Sequence, residues 1–365
     1  MSTVGEVTGC INDFAPVIYQ ESYDNSGLQT GNLSDEVTGV ILAVDITEEV
    51  IDEAIRLKAN LIISHHPLIF TGLKNFNLNN YISRSIVKAI KNDISVFCCH
   101  TNVDNISMGV NYKITEKLGL QNIRILKPVS GDLLKLVVFV PEAYAERLRK
   151  VIFEAGAGHI GNYDCCSFNT PGNGTFRATE QANPFVGEKN SLHTEPEIRI
   201  ETIFPRYCEK NIISAMIKAH PYEEVAYDIY QVSNKNPNFG AGALGFYNEP
   251  LDEKSFLTLL KETFKVPMIR HSNLTGRQVS SVAVCGGSGS FLLNDAINAG
   301  AGVFVTSDIK YHQFFDAGEK IILTDIGHFE SEQFTLEIFY ELLMKKFSNF
   351  AICFTKVKTN PINYF

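Results

Sequence analysis

At 365 residues, with 45% hydrophobic and 20% charged positions, the chain is long enough for two domains, each with a core of its own, and has the composition of a globular protein. Its formal net charge of −9 excludes wholesale binding to nucleic acid or to an anionic membrane, and no apolar run approaches the roughly 18 residues of a membrane span. The first residues lack the basic and apolar segments of a secretory signal. The eight cysteines include no C-x-x-C and are expected as buried free thiols of a cytoplasmic protein.

The first hundred residues alternate between strand and helix patterns. Residues 37–44 (VTGVILAV) form a nearly continuous aliphatic run, as a strand buried on both faces requires. Thr47 is an N-cap for a helix whose apolar face is Val50, Ile51, Ala54, Ile55 and Leu57, with Glu48 and Glu49 suited to its positive end. Leu61-Ile62-Ile63 is the next strand, residues 81–91 a helix and residues 94–99 a third strand. The β-α-β-α-β order predicts an α/β domain with a parallel sheet.

The middle follows a different pattern. Residues 133–140 and 143–155 read as strand and helix, followed by strand-like pieces at 163–168, the Gly-rich 172–174 and 197–203. A helix at 208–219 and a strand at 225–232 close the segment. Strand-helix-strand-strand-helix-strand is the ferredoxin-like order, so 128–247 is expected as an inserted α+β domain. Residues 1–127 and 248–365 then form one discontinuous domain. The C-terminal part repeats the first pattern: strands at 279–284, 303–305 and 321–323, a long amphipathic helix from His328 to about Lys346, and a last strand at 351–354.

The polar residues that follow these strands carry the chemistry. His65 and His66 lie just past the second strand, and His100 and Asp104 just past the third, at the carboxyl edge where open α/β sheets bind ligands. His328 and Glu332 are four apart and so share a helix face. Adjacent side chains on extended backbone diverge, so His65 and His66 suit different ions, and one glutamate can bridge both. The economical arrangement places His66, Asp104 and Glu332 on one divalent metal and His65, His328 and Glu332 on the other. Imidazole and carboxylate donors without thiolate suit Zn, Fe(II) or Mn. Such a pair activates water and attracts an anionic ligand such as a phosphate.

His100 is a candidate acid/base, or it orients a ligand from behind or packs in the core. Asp308, Lys310 and His312 either line the pocket or are ordinary surface. Residues 286–289 (GGSG) read as a tight turn and not a nucleotide loop, and 220–224 (HPYEE) as a turn that ends a helix. His159, His193 and His271 have no evident partners.

In combination, residues 25–29 (NSGLQ), 64–67 (SHHP), 100–104 (HTNVD), 109–111 (GVN), 308–312 (DIKYH) and 327–332 (GHFESE) resemble the Nif-three-like family, the GTP cyclohydrolase I type 2 homologues. The resemblance covers essentially the whole chain. Ser26 and Thr306-Ser307 depart from the family pattern without touching a proposed ligand. The likeness implies a two-metal site at the positions above, a toroidal homohexamer, and an insert similar to CutA and PII proteins carrying 172–177 (GNGTFR), 182–185 (ANPF) and 220–230 (HPYEEVAYDIY). Its name implies a metal-dependent hydrolase opening the GTP ring by hydroxide generated on the metals, with GTP or another nucleotide as the small anionic ligand. The rival reading is a non-catalytic metal-delivery or regulatory protein with a ligand-sensing insert.

Overall fold

A computed structural model describes residues 2–365. The chain divides into two compact units, one made by its two ends, up to Lys127 and from Asn238 on, and the other by Pro128–Pro237.

The end-built unit begins with α1 (Val4–Phe14), started by a capping box in which Thr3 and Glu6 each take the other's backbone N–H. Next come β1 (Gly27–Thr30), β2 (Gly39–Ala43) and α2 (Glu48–Leu57). The Thr47 hydroxyl accepts the Val50 N–H as the expected cap, and left-handed Lys58 ends the helix. β3 (Leu61–Ser64), α3 (Tyr81–Lys91), β4 (Ser95–Cys98), the single turn α4 (Thr101–Asp104), α5 (Val110–Lys117) and β5 (Gln121–Ser130) complete this half. β2, β3 and β4 are parallel, with Ile41 beside Ile62 and Ile62 beside Val96. All their residues are buried, as the unbroken apolar runs require.

The middle unit contains β6 (Leu133–Pro141), α6 (Ala145–Glu154), β7 (Phe168–Arg177), β8 (Leu192–Pro205), α7 (Glu209–Ala219) and β9 (Tyr227–Gln231). The strand order β7-β8-β6-β9, with every pairing antiparallel, is the ferredoxin-like arrangement. Leu134, Leu136, Val138 and Val140 alternate along β6 and pack with Leu148, Ile152, Ile212 and Met216 of the two helices. The strand expected at 163–168 instead runs from Phe168 through the Gly-rich 172–174. Small residues pass there because β7 is an edge strand with only β8 to pair with.

The chain then enters β10 (Lys235–Leu251), α8 (Glu253–Phe264), β11 (Arg270–His271), β12 (Val279–Val284), α9 (Leu293–Asn298), β13 (Val303–Thr306), α10 (Gln313–Asp316) and β14 (Ile322–Asp325). The order of this second sheet is β11-β14-β13-β12-β10-β5, with β12, β13 and β14 parallel. The helix expected to run unbroken from His328 is two: α11 (His328–Glu332) and α12 (Thr335–Lys346). At the break the Gln333 amide donates to the Phe264 and Glu330 carbonyls, and Phe334 packs on Phe264 at 5.5 Å between ring centres. β15 (Ala351–Phe354) returns to pair in parallel with β2, giving the first sheet the order β1-β4-β3-β2-β15.

Candidate metal centre

The carboxyl edges of the parallel strands in both sheets of the end-built unit supply the centre. After β3 the backbone bends: the consecutive N–H groups of His65 and His66 both bond to the segment after β2, at the Ala43 and Val44 carbonyls. The two side chains therefore do not diverge as expected on extended backbone, and their rings lie 5.0 Å apart. His65 has no exposed surface. Its Nδ1 lies 3.1 Å from the Cys99 carbonyl, which can only accept, so Nδ1 donates to it and Nε2 is the nitrogen left to face inward. That Nε2 faces Asp104 Oδ1 at 3.7 Å and Glu332 Oε1 at 3.6 Å. His66 faces the other oxygen of the same carboxylate, with Nδ1 2.7 Å from Asp45 and Nε2 2.9 Å from Glu332 Oε2. His328, the first residue of α11, has Nδ1 2.6 Å from Asp308 and Nε2 3.2 Å from Glu332 Oε2.

All five expected ligands therefore meet, and the two oxygens of Glu332 serve different imidazoles. The donor atoms fall into the sets His65–Asp104–Glu332 and His66–His328–Glu332, each within 4.8 Å. The partners of the two histidines are thus exchanged relative to the expected arrangement. The cause lies behind the rings: the Cys99 carbonyl turns His65 toward α4 and Asp104, while Asp45, just past β2, turns His66 toward His328.

A third set joins His65, His66 and His100. His100 is 9% exposed, with its ring 5.3 Å and 5.4 Å from those of His65 and His66. Its Nδ1 lies 2.8 Å from Asp24, which also takes the Thr101 hydroxyl and N–H. Asp24 and Asp45 are site residues that the sequence reading missed. Asp45 follows a strand end and was open to the same edge rule, whereas Asp24 lies in a loop ahead of β1 with no pattern to mark it. Asp308, left open between pocket and surface, orients His328. His312 stacks on Phe315 and Lys310 is exposed, so neither joins the centre.

The donor set fits a cation. His65 Nε2, Asp104 Oδ1 and Glu332 Oε2 are buried and make no well-formed hydrogen bond, even though Glu332 Oε2 lies within ion-pair distance of two imidazoles. Unpaired buried polar atoms are costly, and cations in the two sets would satisfy all three. The turn after β12 is shaped for this carboxylate. Gly287 has φ +61°, and a Cβ built there would overlap Glu332 Oε1. The N–H groups of Gly286, Gly287 and Gly289 go to Asn111, Ser331 and Thr306, so the segment is the tight turn expected and not an anion cradle.

Without an ion, protons take its place. Burial disfavours charge on His66, but its bonds to Asp45 and Glu332 prevail and push its pKa up to about 10. His328 is raised to about 9 against burial, chiefly by Glu332 and then by Asp308. Burial and the Glu332 charge push Asp104 up to about 8. Glu332, despite its burial, is held well below the usual carboxylate range by His65, His328 and His66. The nearby thiols of Cys99 and Cys285 are pushed up, mainly by burial, and stay protonated. All eight cysteines are free. A cleft of about 440 Å³ opens over His66, His100 and Glu332, with Tyr23, Phe70, Tyr81 and Phe291 among its walls.

Comparison with known proteins identifies the family. The sequence profile of Duf34/NIF3 (NGG1p interacting factor 3) matches residues 2–361. The chain belongs to the NIF3 family. A relative from Halalkalibacterium halodurans, named a GTP cyclohydrolase 1 type 2 homolog, is 39% identical over 346 residues, covering 93% of each chain. One of the same name from Bacillus subtilis is 40% identical over 328 residues, covering 89% of this chain and 87% of its own. The solved structure of a Bacillus cereus protein related to NIF3 superposes with a TM-score of 0.86 at 38% identity, over 100% of this chain and 99% of the other. Staphylococcus aureus protein SA1388 gives 0.78 at 27% identity over the same shares. This NIF3-family chain has, among its described residues, no helix long and apolar enough to cross a membrane.

Proposed function

We propose that this chain is a metal-dependent hydrolase that holds two divalent ions, Zn, Fe(II) or Mn, and acts on a small anionic molecule of nucleotide type such as GTP. The ions would lie one in each of the two donor sets that share Glu332. One observation carries this reading: a buried carboxylate whose two oxygens each face imidazole nitrogens, with His65 Nε2, Asp104 Oδ1 and Glu332 Oε2 all buried and without a hydrogen-bond partner. Ions held there supply Lewis acidity and bring the pKa of water toward neutrality.

The chain's own residues do the rest. Asp45, Asp308 and the Cys99 carbonyl take the Nδ1 protons of His66, His328 and His65 and so aim each Nε2 inward. Asp24 does the same for His100, whose Nε2 is left to accept a proton at the cleft and return it to a leaving group. The aromatic walls suit a flat base. The name carried by the relatives supports GTP as the first substrate to test, and the family likeness supports a homohexamer.

The test uses full-length protein reloaded separately with Zn, Mn and Fe(II) and incubated with GTP and a panel of other nucleotides. Turnover that disappears in Glu332→Gln and falls steeply in His100→Asn is expected. Fully metal-loaded protein that converts nothing on the panel would exclude the hydrolase and leave a metal-binding protein. Sedimentation velocity of the same samples checks the hexamer.

A further inference from the structure

The middle unit has a second cleft, of about 580 Å³, formed entirely by its own residues. The three segments that stood out in this part of the sequence, 172–177, 182–185 and 220–230, converge on it, and the metal chemistry uses none of them. Its floor is the face of the sheet opposite the two helices. Ile198 and Ile200 of β8 turn toward α6 and α7, so Glu197 and Arg199 turn away from them, beside Phe139 of β6. Phe176, Phe185 and Tyr222 rise around this floor, with Tyr222 6.0 Å from Phe176 and 6.2 Å from Phe185 between ring centres.

Glu197 is the unusual member. It is 8% exposed, on a wall of aromatic rings and small residues. The Tyr222 hydroxyl donates to its Oε1 at 2.9 Å, while among the described residues nothing donates to Oε2. Gly174 leaves that oxygen its space, since a Cβ there would overlap it. Tyr222 is itself held in place: His220 Nδ1 accepts its N–H at 3.1 Å, and His220 Nε2 donates to the Phe139 carbonyl at 2.9 Å. Burial and the adjacent carboxylate push the Tyr222 pKa up, so the hydroxyl remains a donor. The turn at 220–224 that ends α7 is therefore also a support for the cleft.

Charge selects the occupant. Glu197, Glu223 and Glu224 line the cleft against one cation, Arg199, whose Nε is given to Glu201 at 2.9 Å. A phosphate or carboxylate would meet repulsion there. A largely buried carboxylate with one oxygen open to the cleft, ringed by aromatic faces, favours a cation that is also a hydrogen-bond donor. We infer that this cleft binds a small protonated organic amine with an apolar body, its ammonium on Glu197 Oε2 and its body among Phe176, Phe185 and Tyr222. The site is independent of the metal centre and would make the middle unit a sensor of amines.

The chain has no tryptophan, so Phe185→Trp in the full-length protein places a single indole in the wall as a reporter. Three probes of similar size share a phenyl ring on a short alkyl chain and carry a positive, no and a negative charge: 2-phenylethylammonium, 3-phenylpropanol and 3-phenylpropionate. Saturable quenching by the ammonium is expected, with the neutral and anionic probes at least about tenfold weaker. Adding Glu197→Gln, which keeps an acceptor for Tyr222, should remove that preference while the melting temperature stays close to the parent's. Equal binding of the three probes, absence of saturable ammonium binding, or a preference unchanged by Glu197→Gln would each overturn the assignment. The three-probe comparison needs no change at Glu197, so a variant that fails to fold does not protect the idea.

Discussion

His66 Nε2 and His328 Nε2 stand 3.3 Å apart although 262 residues separate them in the chain. Each ring has its Nδ1 against a carboxylate, at 2.7 Å to Asp45 and 2.6 Å to Asp308. Were both imidazoles neutral, two lone pairs would face each other across that gap, beside an ionised Glu332. Only a positive charge makes the arrangement stable, as a proton on a ring or as an ion between them.

Glu332 is the residue whose loss should cost most. Glu332→Gln keeps the shape but removes the charge that both donor sets share and turns one of the two oxygens into an N–H donor. Metal analysis of purified protein should find the content of both sites lost, whereas Asp104→Asn or His328→Ala should each spare roughly one. With metal at about a hundred times its Kd, the wild type should gain about 2.7 kcal/mol of stability for each occupied site that the Glu332→Gln variant does not. Equal metal content in Glu332→Gln and wild type would refute the bridging role.

The carboxylates behind the imidazoles should matter nearly as much. Asp45 is itself fixed by the Thr359 hydroxyl at 2.9 Å, so its hold on His66 is rigid. Asp45→Asn and Asp308→Asn are each expected to weaken metal at the His66–His328 set by about 10- to 100-fold, the range typical of such partners. The His65–Asp104 set should keep its affinity, because His65 takes its orientation from a backbone carbonyl. Competition with a chromophoric chelator would resolve the two classes, and uniform weakening of both would contradict this division.

Much of this site was legible in the sequence because the fold places ligands by a rule of position. His65, His66, His100 and Asp104 follow unbroken aliphatic runs, and such runs become the central strands of parallel sheets. His328 and Glu332 needed only a helical turn between them. The assignment of partners was not legible. It depends on how each imidazole is rotated, and that rotation is set by the Cys99 carbonyl and by Asp45, groups 34 and 21 residues distant. Asp24 reaches His100 from a loop without periodicity. The helix break at Gln333 comes from a tertiary bond to Phe264, which no local pattern encodes. α1 was not read from the sequence, although Thr3 and Glu6 form a local capping signal at its start.

Gly287 offers a test of fit that leaves every ligand intact. Gly287→Ala would place a methyl group against Glu332 Oε1 and force a left-handed backbone on alanine. The backbone term alone is about 1–2 kcal/mol. A lower denaturation midpoint is expected, together with loss of metal from both sets as the carboxylate is pushed aside. Alanine elsewhere at a left-handed glycine, for example Gly119→Ala, where a Cβ meets nothing within 4 Å, should cost stability without touching metal content. If both variants bind metal like the wild type, the turn after β12 does not set the position of Glu332.

Metal and protons compete for the same imidazole nitrogens, so metal binding should depend strongly on pH. His66 and His328 have folded pKa values of about 10 and about 9, both above their ordinary 6.5. Their charged forms therefore stabilise the metal-free protein fully below pH 6.5, and that contribution fades as pH rises through 9 to 10. Metal needs the same nitrogens bare, so its affinity moves the opposite way, by about tenfold per pH unit for each proton displaced. Melting curves from pH 6.5 to 9 should show the metal-free protein losing stability while the gain on adding Zn grows. Calorimetric titrations at pH 7 in two buffers of different ionisation enthalpy should register protons released from His66, His328 and Asp104. Heats that do not depend on the buffer would mean that the nitrogens facing each other across the centre were never protonated, and that something other than charge holds His66 and His328 together.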